Sequence, residues 1–261
     1  MSAVQLALLC ATVFLAACAA VGRLRFVLEE FAPLWRRIFA AVLLVVVLAA
    51  IVFYPITEAP LRAAFDPEEV QFPELFVGHI VLLIFLLVWW ALRSSRRATP
   101  ISMFATGELV SDLRWGCIVG IGGWIATMAV TLTAAIIVSR FSVTSPGPDE
   151  VPPLMVWLAG LPTARKLLVI GAAMTVEEGF FRGFLQTRLG LGLSTILFTA
   201  AHASYGLPFM LVSVMTISLL IGGLYQWRGR LLPCVVAHGI FDGIQLLIVL
   251  PWAVQLLHAA P

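Results

Sequence analysis

Charged residues are scarce in this chain of 261 residues. Asp, Glu, Lys and Arg make up 11% of it, against about 25% in an ordinary globular domain. Hydrophobic residues make up 61%, and the mean hydropathy is +1.04. A soluble core of this size could not bury so much apolar surface, so the surrounding solvent must be lipid. These values exclude a soluble enzyme, a disordered protein, a coiled coil and a nucleic-acid-binding protein.

Cysteine, lysine and the familiar cofactor motifs are also few or missing. The four cysteines form no CxxC pair, so neither a disulfide framework nor a zinc finger is indicated. Lys166 is the only lysine, and every other basic residue is arginine. No nucleotide, haem or flavin motif is present, and the HExxH pattern of familiar zinc proteases is missing.

Eight apolar stretches are candidates for membrane spans, each of which takes about 20 residues. We predict spans at 3–22, 38–54, 76–92, 115–138, 165–186, 193–205, 208–226 and 232–252. The sixth stretch is short for a span. The predicted fold is therefore all-α: a polytopic membrane bundle of about eight transmembrane helices, with the lipid bilayer as its first partner.

The distribution of arginine predicts the orientation, because cytoplasmic loops carry an excess of Lys and Arg. Loops 23–37 and 93–114 are rich in arginine, whereas loop 55–75 is acidic. With eight spans, this alternation places both termini outside the cytoplasm. His79 lies near the end of a span, and an interfacial position is predicted for it.

Ionisable residues divide the chain into two parts. Residues 1–110 hold no ionisable group deep inside a predicted span, whereas residues 111–261 hold several. We interpret residues 1–110 as N-terminal transmembrane helices without catalytic motifs, and residues 111–261 as the functional core. Since one charged group at mid-bilayer costs about 2.5–3.5 kcal/mol, such residues point to function.

Two pairs of these buried residues have helical spacing. Glu178 and Arg182 are four residues apart, so they share a helix face and can form an ion pair. His238 and Asp242 have the same spacing, and together they can hold one ion or one substrate atom.

Glu177 and His202 complete a set that could activate water. Glu177 points about 100° around the helix from Glu178, and a glutamate in an apolar cavity is a candidate general base. In one version, two histidines and the carboxylates bind zinc with an open position for water. In the other version, Glu177 and His202 activate the water without a metal, and His238 with Asp242 stabilises the oxyanion. Both versions cleave an amide.

Three motifs in this region resemble those of the CPBP family, the CAAX-type and bacteriocin-processing membrane endopeptidases. The family patterns EExxxR, FxxxH and HxxxD or HxxxN correspond in order to residues 177–182, 198–202 and 238–242. Each motif lies on a predicted transmembrane helix, and the resemblance covers about residues 165–245. It implies that residues 111–261 are an intramembrane protease core.

The resemblance also implies roles for individual residues. Glu177 would activate the water with His202 beside it, and His238 with Asp242 would bind a metal or face the oxyanion. Glu178, Arg182 and Phe198 would support them. If the enzyme is metal-dependent, Glu177, His202, His238 and Asp242 would hold a divalent metal such as zinc; otherwise no cofactor is implied. Eukaryotic members carry Asn where this chain has Asp242, and the extra carboxylate favours a cation.

The predicted function is an intramembrane endopeptidase of the bacterial inner membrane. It would hydrolyse a peptide bond in a protein or peptide with a membrane-associated segment, and nucleic acid is not expected as a partner. One alternative is a non-catalytic immunity or scaffold protein on the same fold, which loss of a motif residue would favour. The other is an ion or solute transporter, which inverted repeats would favour. The sequence shows neither of these features.

Overall fold

A computed structural model describes residues 2–58, 71–93, 108–141, 153–203 and 208–259. Helices account for almost all of these ranges, and none of them contains a strand. The predicted all-α class is therefore confirmed. Most of the acidic loop 55–75 and of the arginine-rich loop 93–114 lies outside the described residues.

We number the helices of the described ranges in chain order. They are α1 Ala3–Ala20, α2 Arg25–Glu30, α3 Leu34–Thr57, α4 Phe72–Leu92, α5 Leu109–Arg140, α6 Pro153–Gly160, α7 Thr163–Leu189, α8 Leu191–Ala201, α9 Pro208–Arg228 and α10 Leu232–Leu256. Each of the eight predicted spans overlaps one of these helices.

Most of the helices are long enough to cross a membrane. Six of those in the described ranges qualify by length and hydropathy, namely α1, α3, α4, α5, α9 and α10. Helices α6 and α7 meet at a bend of 113° and count as a seventh span if they are taken together. Helix α8 has 11 residues and rises about 16 Å, so it cannot cross a hydrocarbon core of about 30 Å alone. The chain is a polytopic membrane protein.

An aromatic cluster joins α4 to α7. The ring centroid of Phe85 lies 5.4 Å from that of Phe180 and 4.9 Å from that of Phe184. Trp89 lies 4.9 Å from Phe184 in the same edge-to-face manner. All four side chains are buried, so the cluster fixes which face of α4 meets α7. That face continues to His79 at the other end of α4.

Two glycines bring α5 against α10. A Cβ atom on Gly116 would lie 2.9 Å from the carbonyl oxygen of Pro233, and one on Gly120 would lie 2.9 Å from that of Ala237. Only glycine permits so close an approach between backbones, as in the small-xxx-small packing of membrane helices. This contact positions α10, which carries the third motif.

The arginine-bearing turns share one end of the bundle. One cavity is lined by Gly22 after α1, by Arg93 after α4 and by Arg188 near the end of α7. At the same end of the chain's helices, Arg228 of α9 lies 3.0 Å from the buried Asp112 at the start of α5. The alternation of the loops predicts this grouping; that this end is cytoplasmic stays a prediction.

Candidate active site

The helix that carries the first motif is wound more widely than an α-helix. Ala173–Gln186, within α7, is a π-helix, whose hydrogen bonds join residues i and i+5. Short π-helical turns occur frequently at functional sites, because they redirect the side chains of a helix. Every residue from Gly179 to Gln186 is buried, so this segment is surrounded by its neighbours.

Glu178 and Arg182 form the ion pair that their spacing predicts. Arg182 Nη1 donates to Glu178 Oε1 at 2.9 Å, and the two side chains are 1% and 0% exposed. Arg182 Nη2 donates to the carbonyl oxygen of Ser218 at 3.3 Å and to its hydroxyl at 3.2 Å. The pair therefore ties α7 to α9 as well as stabilising its own helix.

Glu178 also holds the first histidine of the third motif. His238 Nδ1 lies 2.7 Å from Glu178 Oε1, and His238 Nε2 lies 3.3 Å from Asp242 Oδ2. Ionised carboxylates only accept hydrogen bonds, so the ring can donate to both only when it carries two protons. The structure thus assigns Glu178 a contact in α10 that the sequence did not indicate.

Glu177 turns away from that cluster and meets His79 of α4. Glu177 Oε1 lies 3.1 Å from His79 Nε2, and His79 Nδ1 donates to the carbonyl oxygen of Leu75 at 3.2 Å. A carbonyl oxygen only accepts, so Nδ1 holds a proton. A hydrogen bond between Nε2 and Oε1 then needs another proton, on the ring or on the carboxyl group. His79 and Glu177 therefore share a proton.

His202 lies at the end of α8 and faces the same space as Glu177. Its Nδ1 donates to the carbonyl oxygen of Phe198 at 2.8 Å, so Nε2 is an acceptor when the ring is neutral. Glu177, His79 and His202 line a cavity of about 240 Å³, which can hold several water molecules. Glu177 Oε2 is buried and has no hydrogen-bond partner among the described residues. The Glu177 side chain as a whole borders the cavity and is 14% exposed, so a small rotation of its carboxyl group would present this oxygen to water there.

The ring of Phe198 connects the two groups of polar residues. Its centroid lies 4.6 Å from the guanidinium carbon of Arg182 and 4.6 Å from the ring of His202. The ring of His238 lies 6.2 Å away. Both His202 and His238 are near enough to Glu177 to interact electrostatically with its carboxylate. The residues of all three motifs therefore meet around one aromatic side chain.

The four candidate metal ligands do not fit a metal ion in this arrangement. Within the part of the chain that the structure describes, no three His, Cys, Asp or Glu side chains are placed to hold an ion together. Both ring nitrogens of His238 face carboxylate oxygens, and His202 Nδ1 faces a carbonyl oxygen. The metal ligand set stays a prediction.

Comparison with known proteins supports the resemblance that the motifs suggested. Residues 159–244 match the family of type II CAAX prenyl endopeptidase Rce1-like proteins. The match covers about a third of the chain and contains all three motifs. The resemblance to CAAX-type endopeptidases is thereby confirmed, and the matched family is one of peptidases.

A curated relative matches a shorter stretch. The Uncharacterized protein YpbD of Bacillus subtilis (strain 168) is 41% identical over 69 residues, which is 26% of this chain and 36% of that protein. The chain thus matches little more than a third of that relative's length. No solved structure matches the chain.

The sequence did not single out His79 as a functional residue. Its interpretation as an interfacial residue needs correcting, since the side chain contacts the candidate base and is only 18% exposed. The available signal was periodicity: His79, Leu82, Phe85 and Trp89 recur every three or four residues along α4, and the last three are buried. A histidine on the buried face of a span is a functional candidate on the same ground as His202.

Proposed function

We propose that this protein is an intramembrane endopeptidase that hydrolyses a peptide bond with a water molecule activated by Glu177. One observation carries the proposal: Glu177 and His202 line a common cavity inside a bundle of apolar helices, where ionisable groups are costly. The peptidase family matched by residues 159–244 supports the same reaction.

The proposed reaction begins with a water molecule between Glu177 and His202. Glu177 Oε2 takes a proton from this water molecule. The oxygen of the resulting hydroxide attacks the carbonyl carbon of the peptide bond. Negative charge then develops on the carbonyl oxygen. The proton passes from Glu177 to the amide nitrogen, the carbon–nitrogen bond breaks, and a carboxylic acid and an amine are released. Throughout, the hydrogen bond between His79 and Oε1 restricts the carboxyl group, and a small rotation of that group brings Oε2 to the water.

His238 is the proposed donor to the developing oxyanion. Its Nδ1 is held by Glu178 and its Nε2 lies beside Asp242, the more exposed of the two carboxylates. In this proposal the carbonyl oxygen of the substrate approaches Nε2 from the Asp242 side. The single Nε2–H faces Asp242 in the structure, so the oxyanion would share or displace that contact and would be stabilised by the hydrogen bond that replaces it.

The proposed setting is the inner membrane of a bacterium, with both termini outside the cytoplasm. The distribution of arginine supports this placement, because α1 ends and α10 begins beside turns that carry arginine. A site within the bilayer favours a protein or peptide substrate with a membrane-associated segment, because such a segment brings the bond to the depth of the cavity.

Profiling of protein termini in membranes tests the proposal. Cells that lack the protein, cells that produce wild type and cells that produce Glu177→Gln at matched levels would be compared by mass spectrometry. We expect a defined set of new termini that appears only with wild type, since Gln cannot act as a base. That set would also identify the substrate and the cleaved bond.

Two outcomes would contradict the proposal. If wild type produces no termini that Glu177→Gln lacks, and both proteins support the same phenotype, then a non-catalytic scaffold is the better description. If wild type and Glu177→Gln differ in ion or solute flux while their termini are identical, then the protein is a transporter.

Substitution of His79 should slow the chemical step without weakening substrate binding. We expect His79→Leu to lower kcat by about 10- to 100-fold with little change in KM, because Glu177 loses the hydrogen bond that orients it. His79→Gln places an amide N–H near the former Nε2 and should recover most of that loss. Steady-state kinetics with a substrate peptide in detergent would measure both parameters.

The comparison of these two variants separates orientation from packing. Gln and Leu both replace an imidazole with a side chain of different shape, but only Gln can donate to Glu177. Equal losses in both variants would assign His79 a packing role. A wild-type kcat in His79→Leu would remove it from the reaction altogether, while the role of Glu177 would stand on its own test.

A further inference from the structure

A second cavity, of about 490 Å³, lies where α1, α4 and α7 end. It shares no lining residue with the cavity of the candidate active site. His79 lines the first cavity and Arg93 the second, and along α4 they are about 21 Å apart. The second cavity therefore belongs to a separate feature of the protein.

The side chains around this cavity are strongly basic. Four arginines and one glutamate line it, which gives a formal charge of +3. They are Arg23, Arg25, Arg93, Arg188 and Glu30. A concentration of one sign of charge in a concave site attracts ions of the opposite sign.

Glu30 neutralises only one of these positive charges, and both of its carboxylate oxygens already contact other side chains. Its Oε1 accepts from Arg188 Nη2 at 2.6 Å and from Arg188 Nε at 3.0 Å. Its Oε2 accepts from the indole of Trp89 at 2.9 Å and lies 3.0 Å from Arg93 Nε. Three of these contacts are hydrogen bonds and the fourth is an ion-pair contact, so both oxygens of the carboxylate are engaged. The ion pair between Glu30 and Arg188 is thus a fixed part of the cavity wall.

Arg23 and Arg25 make no ion pair with any residue in the described ranges, and both are exposed. The turn after α1 carries them, and Gly22 adopts a φ of +72° there, a conformation that favours glycine. Arg23 extends as far as the end of α7, where its Nη1 would lie 3.8 Å from a Cβ atom on Gly190. Their planar guanidinium groups suit the oxygens of a phosphate, which they can bind in pairs.

We propose that this cavity binds the phosphate group of an anionic phospholipid. The ends of three membrane-associated helices surround it, so it lies at the depth of lipid headgroups. Its end of the bundle is the one that the arginine distribution predicts to be cytoplasmic, the side on which basic pockets between helices bind such headgroups. The proposal does not depend on the peptidase activity.

Native mass spectrometry of the purified full-length protein in detergent tests the proposal. The probes are phosphatidylglycerol and phosphatidylcholine with identical acyl chains. We expect wild type to retain phosphatidylglycerol in preference to phosphatidylcholine. We expect the double substitution Arg23→Gln and Arg25→Gln to weaken phosphatidylglycerol binding by about 25-fold, since each arginine near an anionic lipid contributes about fivefold.

Arg114→Gln is the matched control. Arg114 is exposed, makes no ion pair with any described residue and lies near the start of α5, outside the cavity. This substitution removes one positive charge from α5 without touching the cavity, so phosphatidylglycerol binding should stay at the wild-type level. Thermal unfolding with and without phosphatidylglycerol gives a second measurement, in which only proteins with an intact cavity are stabilised.

The outcomes decide both the site and the source of the phosphate. Equal binding of the two lipids, or equal losses in the double variant and in Arg114→Gln, would overturn the proposal. If inorganic phosphate displaces phosphatidylglycerol from wild type at comparable concentrations, the cavity recognises only the phosphate group. The assignment of a lipid ligand would then be wrong. If phosphatidylglycerol resists that competition, the lipid is the ligand.

Discussion

Glu177→Gln should lower kcat by about 10³-fold or more while the protein stays folded, because Gln has nearly the shape of Glu but cannot take a proton from water. Loss of a general base alone typically costs about 10²- to 10⁴-fold. KM should change little, since the proposed partner of Glu177 is water rather than substrate. Single-turnover and steady-state kinetics with a substrate peptide would measure the effect.

The stability of the same variant distinguishes a base from a structural residue. Glu177 touches His79 but none of the residues of the Glu178 cluster through a hydrogen bond. A Gln side chain can still pair with a neutral His79, because its amide N–H can donate to Nε2. We expect the free energy of unfolding to change by no more than about 1 kcal/mol, because Glu177→Gln leaves no buried charge without a partner.

Two further variants complete the comparison. Glu177→Asp withdraws the carboxylate by one methylene and should lower kcat by about 10²-fold, since a displacement of about 1 Å is that costly. Glu29→Gln makes the same chemical change at an exposed glutamate that has no ion pair among the described residues, and it should leave kcat as it is. If Glu177→Gln kept a tenth of the wild-type kcat, the base would have to be another residue.

The spacing within the motifs allowed two side-chain contacts of the candidate site to be predicted from the sequence. The pairing of Glu178 with Arg182 and the proximity of His238 to Asp242 follow from a spacing of four residues on a helix. The eight apolar stretches predicted where the helices lie, because hydropathy in a bilayer is a strong constraint.

Contacts between distant helices could not be predicted in the same way. His79 and Glu177 are 98 residues apart, and nothing local to either residue indicates the other. Their contact depends on how α4 packs on α7, which the aromatic cluster around Phe85 and Phe184 determines. The same holds for Glu178 and His238, which are 60 residues apart.

The winding of α7 is a further feature that spacing alone did not reveal. The angle of about 100° between Glu177 and Glu178 assumes an α-helix, whereas Ala173–Gln186 is a π-helix. The two adjacent carboxylates nevertheless contact different partners, His79 on α4 and His238 on α10. Adjacent residues on any helix point in different directions, so this part of the prediction did not depend on the exact winding.

Arg182→Met should destabilise the protein by about 3–5 kcal/mol, which is the cost of leaving one member of a buried ion pair without its partner. Both side chains are almost completely buried, and Arg182 also donates twice to Ser218 of α9. Met has an unbranched chain of similar length, so the loss would come from the charge and its hydrogen bonds rather than from a large void. Unfolding by sodium dodecyl sulfate in mixed micelles would measure it.

The double variant Glu178→Gln/Arg182→Met tests whether charge is the cause. Gln removes the negative charge but keeps an oxygen that can accept from His238 Nδ1, so the buried site becomes neutral without losing its contact to α10. We expect the double variant to recover at least half of the loss in Arg182→Met, with a coupling energy of about 2 kcal/mol or more between the two positions. Losses that simply add would mean that Arg182 acts mainly through Ser218. If the double variant is as stable as wild type, its kcat can be measured separately. A kcat below that of wild type would then show that the ion pair also positions Glu177 for the reaction.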